Sequence, residues 1–385
     1  MEMKQIYDFV NPVIKEIVGE TAILQEDLSN IVDVGKAVFD ANSYDHFVKS
    51  LVDRIGKTIF VIRKYTGSAP SVLMDSWEYG AVLQKIRARM PEASENETWQ
   101  LEDGASYDQD IFYKPDVAVK FWNKRTTFEV DQSITDEQIR SAFLSADALN
   151  RFIEMLYNEV DKTMQVATDG LVMRTINNFI GETIYDEYEG GDLSAKSGVR
   201  AVNLLKLYND AHSGATLTQA QAIENPEFLR FASYKIRKYV GAMGKMSTLF
   251  NLGGEKRFTP RDYMHIVMLT EFVAGADIYL QSNTFHKELV EMPKAEEVSC
   301  WQATGTDLEF ENTSKININT ADGHEVEVDG VLCCIFDRDA LGVTNYRKRT
   351  TVHYNAKSEF TNYYHKQDCG YFNDYDENFV VFFIK

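Results

Sequence analysis

The sequence predicts a mixed α+β protein built around one long helix, on three observations. Apolar residues recur at Leu149, Ile153, Leu156, Val160, Met164, Ala167 and Leu171 in steps of four or three, the stripe of an amphipathic helix. Two strand-like alternations, Tyr79 to Met90 and Val117 to Val130, flank a long acidic segment. From Ile316 onward the chain carries alternating and continuous apolar runs of strand length.

The helical stripe predicts a helix from Ser145, its N-cap, to Ile180. About 36 residues at about 1.5 Å each make a rod of about 54 Å. The step along the stripe is closer to eleven residues per three turns than to seven per two, which disfavours a heptad coiled coil. The stripe is therefore expected to bury against a sheet or another domain of the same chain. Asp147 and Arg151 form a favourable pair four residues apart, Gly170 marks an expected kink, and a shorter run from Thr135 to Phe143, capped by Asp136, leads in.

With 385 residues, 44% hydrophobic content, 20 Tyr and 23 Phe, the chain can bury a large aromatic core as two domains or one elaborated domain. Its formal charge of -19 disfavours tight binding to phosphate backbones, though not enclosure of DNA without gripping it. Cys300, Cys333, Cys334 and Cys369 lack paired spacing, and adjacent Cys333 and Cys334 point to opposite faces of a strand. Buried reduced thiols are the expectation. Glu2, Asp8, Asn11 and Pro12 stand where a signal peptide would be apolar, and no run approaches a membrane span, so a cytosolic protein is expected.

Residues before Asn42 read as an N-terminal arm with modest helices at Ile6 to Ile17 and Glu26 to Phe39. Ser43 caps a helix through Phe47, Leu51 and Ile55, followed by a strand from Thr58 to Ile62. Tyr79 to Met90 and Val117 to Val130 are expected as two long strands of a projecting hairpin. Its shafts are basic at Lys85, Arg87, Arg89, Lys120, Lys124 and Arg125. Its tip is acidic through Glu92, Glu95, Glu97, Glu102, Asp103, Asp108 and Asp110. That polarity suits contact with an acidic neighbour, and the six cations are the candidate inter-subunit residues. Since exposed ion pairs contribute little, reversing Lys85, Arg87 and Arg89 is expected to leave subunit folding nearly unchanged.

After the long helix, Tyr185 to Gly198 is a turn-rich connector with Gly190-Gly191, a domain boundary. A short helix through Val202, Leu205 and Tyr208 stops at His212-Ser213-Gly214. Asn225 and Pro226 then start a helix with Phe228, Phe231, Ala232, Ile236, Tyr239, Val240 and Met243 inside. Its outer face carries Arg230, Lys235, Arg237, Lys238 and Lys245, either a solvated face or one that meets another copy. A strand follows at Arg261 to Leu269, and a helix near Ala274 to Gln281. Ile316 and Ile318 face Val326 and Val328 across Asp322-Gly323, a two-residue hairpin signal. Val331 to Phe336 is a buried strand. Short aromatic strands run from Arg347 to a last strand at Asn378 to Phe383, and no fixed-period repeat occurs.

Catalytic and metal-binding patterns are missing. Gly241 to Ser247 has its glycines too close for a phosphate loop and trails a helix. There is no Gly-x-Ser-x-Gly, and no His pair at four-residue spacing; His265 and His286 could meet only through the fold. Asp337-Arg338-Asp339 and Asp374-Tyr-Asp376-Glu377 lack the spacing of a calcium loop and read as turn caps. No cofactor, metal or catalytic residue is expected.

Five strings carry a resemblance: Val52-Asp-Arg-Ile-Gly-Lys-Thr-Ile-Phe60, Lys245-Met-Ser-Thr-Leu-Phe-Asn251, Phe336-Asp-Arg-Asp-Ala-Leu341, Gly370-Tyr-Phe-Asn-Asp374 and Glu377-Asn-Phe-Val-Val-Phe-Phe383. With them the whole chain resembles a major capsid protein of tailed bacteriophages with the Hong Kong 97-like fold. The resemblance implies an N-terminal arm at 1–42, a peripheral domain at 43–64 and 131–198 holding the spine helix, and an extension loop at 65–130. It further implies an A domain at 199–345, a return to the peripheral domain at 346–376 and a final strand at 377–385. A non-enzymatic subunit of hexamers and pentamers is implied, in an icosahedral or prolate shell assembled in a bacterial cytoplasm around double-stranded DNA without sequence-specific contact. A portal would be a partner, with scaffold or decoration proteins left open, and no membrane would be involved. No long helical pro-segment precedes the arm, which leaves a separate scaffold or none, and the lysine and asparagine of crosslinking relatives have no match. The alternatives are an encapsulin-type compartment shell and a cytosolic enzyme with a scattered site.

Overall fold

The computed structural model describes residues 64, 65, 67, 69–72, 82–93, 95, 110–135, 146–212, 216–281, 295–302 and 313–385. The elements expected before residue 63 and the run 135–143 lie outside these, apart from Thr135. The chain divides into two compact units, Met1–Ile62 with Asn150–Met155, and Arg63–Leu149 with Leu156–Lys385. Among the described residues the first is represented only by helix residues 150–155, and the rest of this section concerns the second.

In chain order the elements begin with strands β1 (Leu83–Ala88), β2 (Val117–Trp122) and β3 (Arg125–Thr135), then helix α1 (Ala146–Tyr188). Strand β4 (Ala201–Asn203) leads into α2 (Leu204–Ala211), α3 (Gln219–Ala222) and α4 (Pro226–Met243). A 3-10 turn at Arg261–Tyr263 precedes β5 (Met264–Leu269), α5 (Thr270–Gln281) and β6 (Glu296–Val298). The remainder is β7 (Ile316–Asn319), β8 (Glu325–Val328), β9 (Val331–Asp337), β10 (Leu341–Asn355), β11 (Phe360–Asn373) and β12 (Phe379–Phe383).

Helix α1 has 43 residues, a rod of about 65 Å, and runs unbroken through Gly170. Val160, Met164 and Leu171 of the expected stripe are buried, while Leu156 and Ala167 are only half-buried. The side chains of Leu149, Ile153, Asp147 and Arg151 lie outside those described. Beyond Leu171 burial spreads around the helix, through Val172, Thr175, Ile176, Phe179, Ile180, Thr183 and Ile184. Burial that covers most of the helix, leaving a strip through Arg174, Asn178, Glu182 and Asp186 unburied, blurs the narrow apolar stripe, which is why periodicity ended it eight residues early. It stops where Glu189 and Gly190 take positive φ, at 51° and 72°, a left-handed C-terminal turn.

A five-stranded sheet, ordered β4-β12-β9-β5-β6, forms the core. Every residue of β9 and β12 is buried, so their apolar runs are continuous rather than alternating. Phe179 of α1 stacks on Phe379 at 4.1 Å and Tyr188 meets Phe383 at 5.8 Å, while Tyr239 of α4 meets Phe382 at 5.2 Å. Alternate residues of a strand point to opposite faces, so α1 covers one face of the sheet and α4 the other. Asn225 caps α4 through hydrogen bonds from the amides of Glu227 and Phe228, as expected.

A three-stranded antiparallel sheet is ordered β10-β11-β3. The aromatic C-terminal segment, expected as short strands, instead forms two strands of 15 and 14 residues. The β10–β11 register shifts between Asn345 and Arg347, a bulge within one continuous strand. Val117 to Val130 is not one strand, because it breaks at Asn123-Lys124 into β2 and β3, which belong to different sheets. The β7–β8 hairpin pairs Ile316 with Val328. Its loop holds three residues rather than two: the amide of Thr320 bonds the carbonyl of His324, and Gly323 has φ 84°, the glycine bulge of three-residue loops. Cys333, Cys334 and Cys369 are buried free thiols, as expected, whereas Cys300 is a free thiol only half-buried.

Candidate functional site

Strands β1 and β2 form the expected hairpin, in antiparallel register with Leu83 opposite Trp122 and Lys85 opposite Lys120. Period-2 alternation places Leu83, Lys85, Arg87, Ala118, Lys120 and Trp122 on the half-buried face. Two lysines directly opposite repel one another. A convergent acidic group removes that penalty, and the turn between β11 and β12 supplies it.

Asp374 is the centre of this ion hub. Its side chain is 0% exposed. Its carboxylate accepts hydrogen bonds from Lys85 Nζ at 2.8 Å, from Lys120 Nζ at 2.9 Å and from Arg87 Nη2. Asp376 pairs with Lys120 at 2.5 Å and with Arg87 at 3.4 Å. Glu377 pairs with Lys85 at 2.8 Å, Arg87 at 3.5 Å and Arg257 at 3.6 Å. Lys85 Nζ also donates to the carbonyl of Asp339 at 3.0 Å. The hub is fixed from below, since the amide of Asp374 bonds the carbonyl of Ala340 and the indole of Trp122 donates to the carbonyl of Asn373 at 3.2 Å.

Burial alone would raise the pKa of Asp374. The charge and hydrogen bond of Lys85, the hydrogen bond of Lys120 and the charge of Arg87 outweigh it and hold the carboxyl below its ordinary value. Glu377 goes the other way, pushed up by burial more than Lys85 and Arg87 pull it down, and burial likewise raises Asp337. Asp374 is thus held as an anion by its cations, and among the described residues no group of three or more His, Cys, Asp or Glu is arranged to hold a metal ion.

The six cations are thus divided. Lys85, Arg87 and Lys120 converge on Asp374, Asp376 and Glu377 of their own chain. Arg89 pairs with Asp116 and Glu255, each at 3.1 Å, at the exposed margin. Lys124 lies 6.0 Å from the ring centre of Tyr371, which Arg174 approaches to 5.2 Å. Arg125 begins β3 and adds to the field that, with Arg349, lowers Asp368 against its burial. The expectation that folding would tolerate reversal of Lys85, Arg87 and Arg89 does not fit this geometry, because two of the three serve a buried carboxylate. Sequence reasoning took Asp374 to Glu377 for turn caps. Those caps exist, in the contact of the Asp376 amide with Asp374 Oδ1 at 3.3 Å. The stronger signal was two cations spaced by two on one strand, which share a face and require a counter-charge. The Asp337 to Asp339 turn is a cap as expected, through the Asp339 amide at 2.9 Å.

The opposite face of the hairpin inverts the usual polarity. Ile86 is 61% exposed, Phe121 63%, Val117 52% and Val119 43%, and Ile86 and Val119 are direct cross-strand partners. The charged face is turned to the protein and the apolar face to solvent, a contiguous apolar patch of the kind that marks an interaction surface.

The comparisons agree with this picture of a protein built for contacts. The profile of the family described as "Phi29-like phage major capsid protein" matches residues 10–383. No curated protein matches the chain. Among solved structures, the capsid of Staphylococcus phage Andhra is similar at 9% identity and a TM-score of 0.52, covering 86% of this chain and 87% of that one. A chain from the structure titled head fiber and inner core protein gp22 of native bacteriophage P68 is similar at 10% identity and a TM-score of 0.52, covering 86% and 88%. Identities this low speak for the fold, and the profile speaks for the family. A chain matched over almost its whole length by that profile, with a capsid-like fold, belongs to the Phi29-like phage major capsid proteins and is a shell-forming structural subunit of the phage virion.

Proposed function

We propose that this subunit has the Hong Kong 97-like arrangement and builds hexamers and pentamers of a closed icosahedral or prolate head around double-stranded DNA, which it encloses without sequence-specific contact. In this reading 1–42 is the N-terminal arm, 43–64 and 131–198 the peripheral domain with α1 as its spine, and 65–130 the extension loop. Residues 199–345 are the A domain, 346–376 return to the peripheral domain, and 377–385 supply the final strand. A portal and scaffold or decoration proteins complete the head, assembled in the bacterial cytoplasm.

The inverted hairpin carries this reading. An isolated two-stranded hairpin is marginal in water, and one that exposes Ile86, Val117, Val119 and Phe121 while anchoring its cations inward fits a surface to be covered by a neighbouring copy. The neighbour-facing groups are accordingly these apolar side chains, with Arg89, Lys124 and Arg125 at the margin. Lys85, Arg87 and Lys120 hold the hairpin for them.

The test is expression of the chain alone and with its head partners, followed by sedimentation and negative-stain microscopy. Closed shells containing DNA are expected, and Phe121→Ser with Ile86→Ser should lower particle yield while leaving the subunit melt unchanged. Shells that exclude nucleic acid and enclose protein cargo would favour the compartment reading. Full particle yield from the double variant would remove the hairpin from the interface.

A further inference from the structure

The outer face of α4 gathers several cations in one stripe on this acidic chain. At about 100° per residue, Arg230, Tyr234, Arg237 and Lys238 fall within an arc of about 100°, and Lys245 continues the line past the helix end. Arg230, Arg237, Lys238 and Lys245 are exposed, and none makes an ion pair among the described residues. Other cations are engaged, Lys85, Arg87 and Lys120 in the hub, Lys206 with Asp210, Arg349 with Asp368 and Lys366 with Glu129, while exposed Arg261, Arg338 and Lys357 stand apart from one another in sequence rather than along one helix face. Tyr234 is 63% exposed within the stripe and Leu249 is 58% exposed at its end, where Gly241, Lys245 and Leu249 line one shallow cleft. Arg230, Arg237 and the exposed Tyr234 are of the types enriched in protein contact surfaces.

We infer that the α4 stripe is a heterologous docking surface for an anionic face of a second copy of this chain. The choice of occupant rests on charge. Net charge of -19 repels a phosphate polymer and a second copy alike, so the selection is local: the shell-forming reading sets copies side by side, and each presents 59 acidic against 40 basic residues for a positive stripe to meet. Like charges keep the stripe from meeting itself across a two-fold axis, so it must face a different patch on the next copy. Contacts of that kind propagate head to tail and close into rings where the rotation between copies closes, as the hexamers and pentamers of the shell-forming reading require. The inference rests on the shell-forming reading and adds to it the surface that sets ring, rather than dimer, geometry.

The test compares wild type with Arg230→Glu/Arg237→Glu/Lys238→Glu by melting and by sedimentation at one protein concentration. Because all three side chains are exposed, the melt is expected to be unchanged, with a tenfold or greater loss of rings and particles. The variant still offers its anionic face, so mixing it into wild type should cap growing rings and reduce wild-type yield out of proportion to its share. Should the reversal fail to fold, Arg237→Gln/Lys238→Gln replaces it, with an expected loss of at least threefold. Wild-type yield from a folded variant overturns the inference, and so does loss only in proportion to the share mixed. A labelled DNA duplex bound by the wild-type subunit but not by an assembling variant also overturns it, and assigns the stripe to nucleic acid. If wild type forms no shell, the shell reading fails separately, and chemical crosslinking of the concentrated subunit decides for the stripe: crosslinked rings lost with the reversal support it, and their absence from wild type overturns it.

Discussion

Asp374→Asn removes one charge while keeping the shape of the side chain. In the native protein that carboxylate is 0% exposed and meets Lys85, Arg87 and Lys120, whose side chains are 23%, 10% and 35% exposed. Breaking a buried ion pair by removing one partner costs about 3 to 5 kcal/mol. Lys120 is exposed enough for water to screen its share, and all three cations keep a second acid in Asp376 or Glu377. A net loss of about 2 to 3 kcal/mol remains, which for a chain of this size lowers the melting temperature by about 3 °C. The assay is thermal melting of wild type, Asp374→Asn, Lys85→Ala and the double variant. With Asp374 neutral, Lys85 and Lys120 face one another with only Glu377 and Asp376 left to compensate them, so removing Lys85 should then cost less than it does in wild type. Simple addition of the two single effects, within about 0.5 kcal/mol, would refute the hub.

The same carboxylates fix the sign of the pH dependence. Glu377 and Asp337 are raised by burial, so as pH falls toward the ordinary carboxylate range the folded state takes up protons before the unfolded one, and stability rises slightly. Asp374 is lowered, as is Asp368, where Arg349 and Thr127 overcome its burial. Their stabilisation is complete above the unfolded value and disappears as pH falls through the lower folded value. Stability should therefore have a shallow maximum in mild acid and a decline below it, with a shallower decline in Asp374→Asn, as followed by melting across pH.

Three substitutions check the packing. Ile176→Ala, at a residue 0% exposed in α1, should cost about 2 to 5 kcal/mol in urea unfolding, and Leu156→Ala should cost distinctly less because Leu156 is half-buried. Gly330→Ala places a Cβ 2.3 Å from the carbonyl oxygen of Ile384 at φ 79°, so it should lose at least the roughly 1 to 2 kcal/mol of left-handed strain and reduce soluble yield. Gly170→Ala meets nothing within 4 Å inside a helix, and should raise stability by about 0.5 to 1 kcal/mol.

Local features of the sequence were legible wherever a single element decides them. Asn225-Pro226 announced α4, Asp322-Gly323 announced the β7–β8 hairpin, and the run from Val331 announced a buried strand, because caps, turns and apolar runs act through neighbours in sequence. What failed depends on partners distant in sequence. The last turns of α1 were lost because burial there spreads over most of the helix circumference, a property of the sheet packed against it. The break at Asn123-Lys124 was missed because two strands in different sheets still alternate as one. The hub was the largest miss: Asp374 lies 289 residues from Lys85, and an acidic triplet in a chain with 59 acidic residues carries no label naming its cations.

The inward turn of the hairpin's charges also bears on how copies could join. A free hairpin would have to be ordered on docking, at about 0.5 to 1.5 kcal/mol for each immobilised side chain, and across a closed assembly that cost recurs at every subunit. With Lys85, Arg87 and Lys120 held on Asp374, the strands are ordered in the subunit, and the outer face of Ile86, Val119 and Phe121 is presented in advance. Docking under the proposed function then adds apolar burial with little further loss of freedom. Asp374→Asn should consequently slow assembly at temperatures well below its own melt, where the subunit population is still fully folded. The measurement is the rate of particle growth by light scattering at matched folded fraction, beside hydrogen exchange of the β1 and β2 amides. Wild-type growth together with faster exchange would separate hairpin order from docking and refute the link.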